Sequence, residues 1–426
     1  MPETQPSAAR WAVEEVFDPQ SPQFIACPFA AYDVSRRELP VAHHPVLDEW
    51  IVTGREELQS VLRDGENLTS RHNLDGHVPL APEARSALDD TLFFQPALYN
   101  VSGPEHTRFR TFISEYFAPR RLRVLEPAIR ATARRLVAEL TEAGPEAGAA
   151  SGAGADLLAR FAQPLPYTVI CDVIGIPEQD RAAVKGWNDA WLALQVVPLP
   201  AEQQVRCARA LRAYEDFLRQ LLADRAEHPA EDLITGLLHA SRGDDPLCTV
   251  DQAVVALRFM IAAGHETTTN LISNAVHQLL TERERWDAVV ADPALVAAAV
   301  EETLRFDSSV QGALRVATGK VRIGDTTVPP GARVRVMFAA AGRDPEWVED
   351  AGTFRLDREG PPRHLGFGLG IHFCVGAPIA RLEARIALET LAAALPGLRL
   401  ADGFAPQYLP GGFIFHGLAA LPVSWD

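Results

Sequence analysis

The sequence predicts a mainly α-helical protein with a minor β portion, folded as one large domain over residues 1–426, and three observations carry that expectation. From Pro104 to about Leu280, Leu, Ala, Arg and Glu recur at helical spacings with few β-branched runs. Beyond Arg305 the texture becomes the alternation of strands in RVATGKVRIGDTTVPPGARVRVMF, with a Pro-Pro-Gly step marking a turn. No internal repeat and no Pro/Ser-rich linker divides the chain, and 426 residues at 47% hydrophobic and 23% charged can bury a large core.

Taken in order, residues 1–20 are expected as a flexible N-terminal segment, and they lack the basic and apolar regions of a signal peptide. HPVLDEWIVTG, from His43, reads as a short strand or hairpin, and REELQSVLRD as the helix after it. Arg71 to Pro104 reads as a long loop with a short helical insert at most. EAGPEAGAASGAGA, residues 142–155, has only small side chains with which to anchor a core and is expected as a flexible connection. Thr249 with Gln252 forms a capping box, which opens one long helix through Leu280. About 35 irregular residues then run up to Cys374, and a stretch of that length needs a buried prosthetic group to order it. ARLEARIALETLAAALPG resumes a helix, and the tail ends in strand-like pieces around GGFIFHGLAALPV.

Charge and cysteine usage narrow the function. With 40 Lys and Arg against 56 Asp and Glu, the net charge of −16 repels nucleic acid and anionic membranes, leaving a small-molecule or protein partner. Five cysteines, an odd number without CxxC pairing, exclude a disulfide framework and point to a reducing, cytoplasmic setting. The most apolar helical stretch is interrupted by Arg258 and Glu266 well short of a bilayer span, so a membrane anchor is not expected.

Two segments carry chemistry. In GFGLGIHFCVGAP, three glycines precede Cys374 and Gly376 follows it, a density that lets backbone approach a flat ligand closely. The helix expected from about Ala377 aims unpaired N–H groups and its positive dipole end at the sulfur, favouring the thiolate. Such a thiolate is an axial ligand that pushes electron density onto haem iron. On the long helix, Ala263 and Thr267 are four residues apart and share a face, with Gly264 leaving room beside them for a bulky ligand. Glu266 sits one turn above Ala263, so an acid and an alcohol arrive together where dioxygen, whose reduction consumes protons, would bind. A lone cysteine beside a glycine turn is more often plain structure, and Glu-Thr-Thr more often a solvated helix edge. The pairing of the two segments reverses those odds.

Phe367-x-x-Gly370-x-His372-x-Cys374-x-Gly376, with AGHETT about 110 residues before it, resembles the signature of the cytochrome P450 family, the haem-thiolate monooxygenases, in its soluble bacterial type. The resemblance implies the cytochrome P450 fold, with haem b held between the long helix and the cysteine loop. It implies Cys374 as the iron ligand, Thr267 as the hydroxyl donor and Glu266 as part of a proton path. It places Phe367 near the sulfur, with Gly368, Gly376 and Ala263 against the haem. His372, Arg315 in ALRVAT, and His106 with Arg110 in GPEHTRFR match propionate contacts. Glu302 and Arg305 match a pair that braces the cysteine loop, with Arg355 or Arg358 as third member and Arg358 preferred. Ser102, Gly103 and His416 depart from residues usual in the family.

The same resemblance puts Phe93, Phe94, Leu98, Phe259, Val310, Phe413 and Ile414 around a pocket for a small apolar organic substrate. The activity implied is hydroxylation or epoxidation with dioxygen, in secondary metabolism; a peroxide-driven haem-thiolate enzyme and a non-catalytic haem gas sensor or carrier are the alternatives. The chain shows no GxGxxG or P-loop pattern, so electrons are expected from a separate ferredoxin and reductase, with NAD(P)H used only indirectly, and the protein is expected as a monomer. Between Pro104 and Arg135, eight arginines against three glutamates form a basic face that, with Arg381 and Arg385, would dock an acidic ferredoxin.

Overall fold

The computed structural model describes residues 12–71, 78–142, 154–409 and 414–425. Helices α1 (Val13–Val16), α2 (Pro22–Ala26) and α3 (Phe29–Glu38) lead into strands β1 (Val41–His44) and β2 (Glu49–Val52), helix α4 (Arg55–Arg63) and strand β3 (Leu68–Thr69). The helical body follows: α5 (Pro82–Leu88), α6 (Pro104–Ser114), α7 (Pro119–Glu142), the short strand β4 (Ala155–Asp156), α8 (Pro164–Ile174), α9 (Arg181–Val196), α10 (Ala201–Glu227), α11 (Leu233–Ala240), α12 (Val250–Thr281), α13 (Arg283–Ala291) and α14 (Leu295–Phe306). Strands β5 (Ala313–Ala317), β6 (Val321–Ile323), β7 (Thr326–Val328) and β8 (Arg333–Val336) precede α15 (Phe338–Gly342), α16 (Ala377–Ala394), β9 (Arg399–Leu400) and β10 (Pro422–Ser424).

The five-stranded sheet has the order β1-β2-β8-β5-β3, with β2 and β8 parallel and the other pairs antiparallel. It packs as a side layer on the helical body. The core belongs to α12, against which α8, α9, α10, α11, α13, α14 and α16 pack. Its capping box forms as the sequence requires: Thr249 Oγ1 accepts from the Gln252 N–H at 3.1 Å, and Gln252 Oε1 accepts from the Thr249 N–H at 2.8 Å. Residues as polar as Asn270, Ser273, Asn274 and His277 are buried along it. Among the described residues no helix is long and apolar enough to cross a membrane.

Two expectations need correction. Residues 12–20 are not loose: α1 buries Val13, and Phe17 is fully buried with its ring 4.9 Å from Phe24, edge to face. Burial of the two aromatic rings ties this part of the segment down, and residues 1–11 lie outside the described residues. The connection at 142–155 also ends earlier than expected, because the Gly154 N–H donates to Val423 O and β4 pairs with β10. Residues 143–153 lie outside the described residues.

Candidate functional site

A cavity of about 370 Å³ opens between α12 and the segment that leads into α16. Ala263, Gly264, Thr267 and Thr268 of α12 line one side, and Phe367, Gly368, His372, Cys374 and Gly376 line the other. Two distant parts of the chain thereby meet at one space.

The irregular stretch before Cys374 is ordered by a buried charge network. Arg305 donates through Nε to Glu302 Oε2 at 2.8 Å and through a terminal nitrogen to Oε1 at 2.6 Å. Its guanidinium also donates to the carbonyls of Gly342, Ala351 and Thr353. Arg358 Nε reaches both Glu302 oxygens, at 2.9 and 3.0 Å, and its other nitrogens bind the carbonyls of Glu349, Asp350 and Thr353. Arg358 is therefore the third member, while Arg355 offers Glu302 only its backbone N–H and pairs its side chain with Asp357. Next to this network, Glu301 binds Arg381 at 2.5 Å and His364 at 3.0 Å, and these hydrogen bonds outweigh burial to hold its carboxyl down at about 2.

Cys374 follows Gly370, whose φ of +76° and whose closeness to the Leu62 carbonyl, 2.4 Å from where a Cβ would stand, exclude any other residue. The Cys374 N–H donates to Phe367 O at 2.9 Å, closing the loop. Its side chain has open surface and lies on the cavity wall. Burial pushes the thiol up, and the N–H groups of Gly376 and Ala377 with the charges of Arg110 and Arg381 offset this only in part. The helix end was expected to favour the thiolate, and these N–H groups act in that direction.

The surrounding donors fit haem. Arg315 is buried on the cavity wall, donates only to the neighbouring Leu314 carbonyl, and is pulled down to about 10 by burial, with no carboxylate among the described residues to answer it. Arg110 is on the wall as well. His106 is buried, its Nε2 has no hydrogen-bond partner, and its ring lies 4.5 Å from that of His372. At Gly368 a Cβ would meet nothing nearer than the His372 carbonyl at 3.8 Å, so one wall is open to a flat group. Unanswered cations beside a thiol and an open wall are what a flat metal complex with two carboxylates requires.

Several predicted residues stand differently from expectation. His106 is not on the wall; its ring lies against that of His372. His372 Nε2 is 2.8 Å from Ser70 Oγ, whose own proton goes to Asn100 O, so the histidine donates there and Nε2 is committed to Ser70 rather than to a propionate. Thr267 and Ala263 line the cavity, and the Thr267 hydroxyl donates to Ala263 O at 2.9 Å. Glu266 does not line it. Its carboxylate faces His265 and Lys185 of α9, so acid and alcohol do not arrive on one face. Gly264 lines the cavity, and the space left by its missing Cβ is shared with Ile170 of α8, whose Cγ1 is 2.5 Å from where that Cβ would stand.

Of the pocket residues, Phe259, Val310 and Ile414 line the cavity. Phe93 and Leu98 are buried in packing away from its wall, Phe94 is 53% exposed with Arg85 5.3 Å over its ring, and Phe413 lies outside the described residues. Ile170 of α8 and Trp191, Leu192, Gln195 and Val196 of α9 line it without having been foreseen, since apolar residues on an amphipathic helix carry no chemical signature. Glu383 of α16 was also missed; it is buried at the wall, one oxygen has no partner among the described residues, and burial raises its carboxyl.

The basic face is weaker than its composition. Arg108 pairs with Asp245, Arg135 with Glu139, and Arg130 and Arg385 share Glu126 and Glu389, while Arg381 is held by Glu301. Among the described residues, Arg120, Arg121, Arg123 and Arg134 keep an unneutralised charge, with Arg121 donating to Glu231 O.

A family model described as Cytochrome P450 matches residues 288–392. The chain is 35% identical over 413 residues, 94% of it and 92% of the relative, to cytochrome P450 monooxygenase PikC of Streptomyces venezuelae. It is 32% identical to mycinamicin IV hydroxylase/epoxidase of Micromonospora griseorubida, over 89% of this chain and 90% of that one. Among solved structures, cytochrome P450 CREJ in complex with (4-ethylphenyl) dihydrogen phosphate superposes with a TM-score of 0.86 at 30% identity, over 94% of this chain and 98% of that one.

Proposed function

This chain belongs to the cytochrome P450 family, and from that membership we propose that it inserts one atom of dioxygen into a small apolar organic molecule, by hydroxylation or epoxidation, in secondary metabolism. When bound, a thiolate-ligated haem supplies reductive dioxygen activation and oxygen-atom transfer, with the second atom leaving as water. The observation that carries this reading is that Cys374, at the entry to the 18-residue α16, opens on the same cavity as Thr267.

In this reading Cys374 holds the iron, and Arg110 and Arg315 answer the propionates, with His106 packed against His372 beside them. Phe367 packs at the sulfur side with Gly368 and Gly376 leaving room, and Ala263 faces the cofactor from α12. Glu302, Arg305 and Arg358 fix the path of the cysteine loop. Thr267 presents a hydroxyl to the oxygen site, and Glu266 feeds it protons from the neighbouring helix face. Phe259, Val310, Ile414 and the α9 residues Leu192 and Val196 give the substrate an apolar wall that excludes water. Electrons come from a separate ferredoxin and its reductase in the cytoplasm, meeting the chain where Arg120, Arg123 and Arg134 remain uncompensated.

The reading is tested by the carbon monoxide difference spectrum of the reduced protein, which is expected to be of thiolate type and to lose that character in Cys374→Ala. An unchanged spectrum in Cys374→Ala overturns it. Thr267→Ala is expected to retain the haem and the thiolate-type spectrum while sending more reducing equivalents to hydrogen peroxide.

A further inference from the structure

At the root of one cavity wall a buried histidine answers a buried carboxylate. Asp307, which ends α14, and His416, in the tail of the chain, are both buried. His416 Nδ1 lies 2.8 Å from Asp307 Oδ1, and Gln278 Nε2 of α12 donates to Oδ2 at 2.9 Å. The His416 ring is stacked on that of Tyr408 with centroids 4.1 Å apart, and the Phe29 ring meets it edge to face at 5.8 Å. Its Nε2 has no hydrogen-bond partner among the described residues. The ring gives Asp307 one N–H from Nδ1, and a second hydrogen on Nε2 is what makes it a cation.

The same two residues anchor a wall. Ser309 and Val310, just beyond Asp307, and Ile414 and Phe415, just before His416, line the cavity. The two segments are joined by the Gln311 N–H on Ile414 O at 2.8 Å, by the His416 N–H on Ser309 O at 3.1 Å, and by an antiparallel bridge between Val310 and Phe415. Asn274 Nδ2 of α12 donates to the carbonyls of Asp307 and His416, at 3.2 and 3.0 Å. Burial pushes the Asp307 carboxyl up, but the charge and hydrogen bond of His416, with the Gln278 amide and the Arg343 charge, outweigh it and hold the carboxyl below its ordinary range. Arg343 acts through space. Its Nε donates to Phe306 O, its guanidinium lies 3.5 and 3.6 Å from the Phe29 and Phe306 ring centroids, and at about 10 it stays charged near neutral pH. The other titratable groups facing the pair are His277 of α12, which burial lowers, Tyr408, which burial raises, and, around Arg343, Cys27 and Arg305. Imidazole is the side-chain type in this cluster whose charge changes between about pH 5 and 8. A neutral His416 ring leaves a buried carboxylate without a hydrogen-bonded cation among the described residues, and that arrangement is costly.

We propose that the Asp307–His416 pair positions the Ile414–Phe415 wall against a bound substrate, and that the proton on His416 sets how firmly the wall is held. The inference rests on the reading of this cavity as the substrate site. Neither residue lines the cavity, so His416 is a positioning residue that acts through Ile414 and Phe415. The imidazolium keeps the carboxylate answered and the two segments joined. As pH rises and the ring loses its proton, the attraction across the pair falls and the wall loosens, so substrate binding weakens toward alkaline pH.

Cyclohexyl isocyanide tests this on the haem-loaded protein, because it binds iron through carbon, does not itself titrate near neutrality and lays an apolar ring in the cavity. Between about pH 6 and 8.5, which brackets the titration of imidazole, its dissociation constant is expected to rise about fivefold in the parent, the low end for coupling between two sites. His416→Gln keeps a donor and cannot titrate, so it is expected to bind weakly and equally at both ends of that range. His416→Arg carries a permanent charge and is expected to bind tightly at both. A parent without pH dependence, or the same dependence in His416→Gln, overturns the proposal. Hydrogen exchange of the backbone amides at positions 311 and 416 needs no haem and serves where the Arg variant does not fold. Their protection is expected to fall across the same range in the parent and to stay constant in His416→Gln; constant protection in the parent overturns the proposal as well. A parent that binds no isocyanide and gives no thiolate-type carbon monoxide spectrum sinks the haem reading, while the exchange measurement still decides the pair.

Discussion

Arg305 and Arg258 are both buried arginines paired with a glutamate, one behind the cysteine loop and the other on the far side of α12, yet they differ in what else depends on them. Arg305 and Arg358 between them hold Glu302 and five backbone carbonyls, those of Gly342, Glu349, Asp350, Ala351 and Thr353. Arg258 binds Glu215 of α10 and the Leu92 carbonyl, Glu215 accepts from the Leu92 N–H, and the guanidinium lies 4.8 Å over the Trp191 ring. The first pair gives shape to a segment without secondary structure. The second joins helices that already have shape. The haem side of the cavity is thus specified by polar groups and the substrate side mainly by packing, which leaves the substrate side open to repacking without loss of fold.

The sharpest break in that comparison is Arg305→Ala. Removing one partner of a buried pair costs about 3–5 kcal/mol, and here it also strands carbonyls. Arg305→Ala is expected to purify with little or no haem, as read from the ratio of Soret to protein absorbance. On the other side, Arg258→Ala or Glu215→Ala alone should cost about 3–5 kcal/mol in denaturant unfolding, whereas Arg258→Met with Glu215→Leu should recover most of it. No apolar double replacement of Glu302 and Arg305 should do so. Equal recovery on both sides would erase the distinction.

A pH measurement sharpens it further. Glu301 lies well below its ordinary value because Arg381 and His364 bind the carboxylate, so its stabilisation is complete above about pH 4.5 and disappears as pH falls toward 2. From the ordinary 4.5 to about 2, the contribution is on the order of 3 kcal/mol. Glu301→Gln should therefore destabilise the protein at pH 7 and flatten the acid limb of its stability curve between those values. An unaltered acid limb would place the anchoring of the cysteine side elsewhere.

How much was legible follows the same division. Cys374 and Thr267 could be expected on one cavity, and Arg358 beside Glu302 and Arg305, because the sequence resembles a family whose motifs hold those residue types at those spacings. The α9 wall could not, since Leu192 and Val196 differ in no chemical way from any buried face. Orientation was the commonest fault. Each helical residue turns about 100° from the last, so Glu266 and Thr267, adjacent in sequence, face different neighbours. His106 was matched to a propionate on type and spacing, but spacing does not say that its ring packs against His372 off the cavity wall. Phe17 was placed in a flexible segment because only the tertiary fold supplies Phe24 and Tyr32 to cover it.

Gly264 offers the smallest test and the most direct one of packing against chemistry. Its lack of a side chain could serve a ligand or a neighbouring helix, and the two alternatives differ in what Gly264→Ala does. A Cβ there would stand 2.5 and 2.6 Å from Ile170 Cγ1 and Cδ1, and Ile170 is itself buried, so it has little room to withdraw. Overpacking of that kind costs about 1–3 kcal/mol, against which the better helix propensity of alanine returns about 1. The net expectation is a loss of about 1 kcal/mol, read as a shift in denaturant midpoint at constant slope. Ile170→Ala removes both clashing atoms, so the double variant should be more stable than the sum of the two single losses, the sign of coupling between groups in contact. If the losses simply add, the glycine's space does not belong to α8, and the face of α12 beside Thr267 is open to the ligand after all.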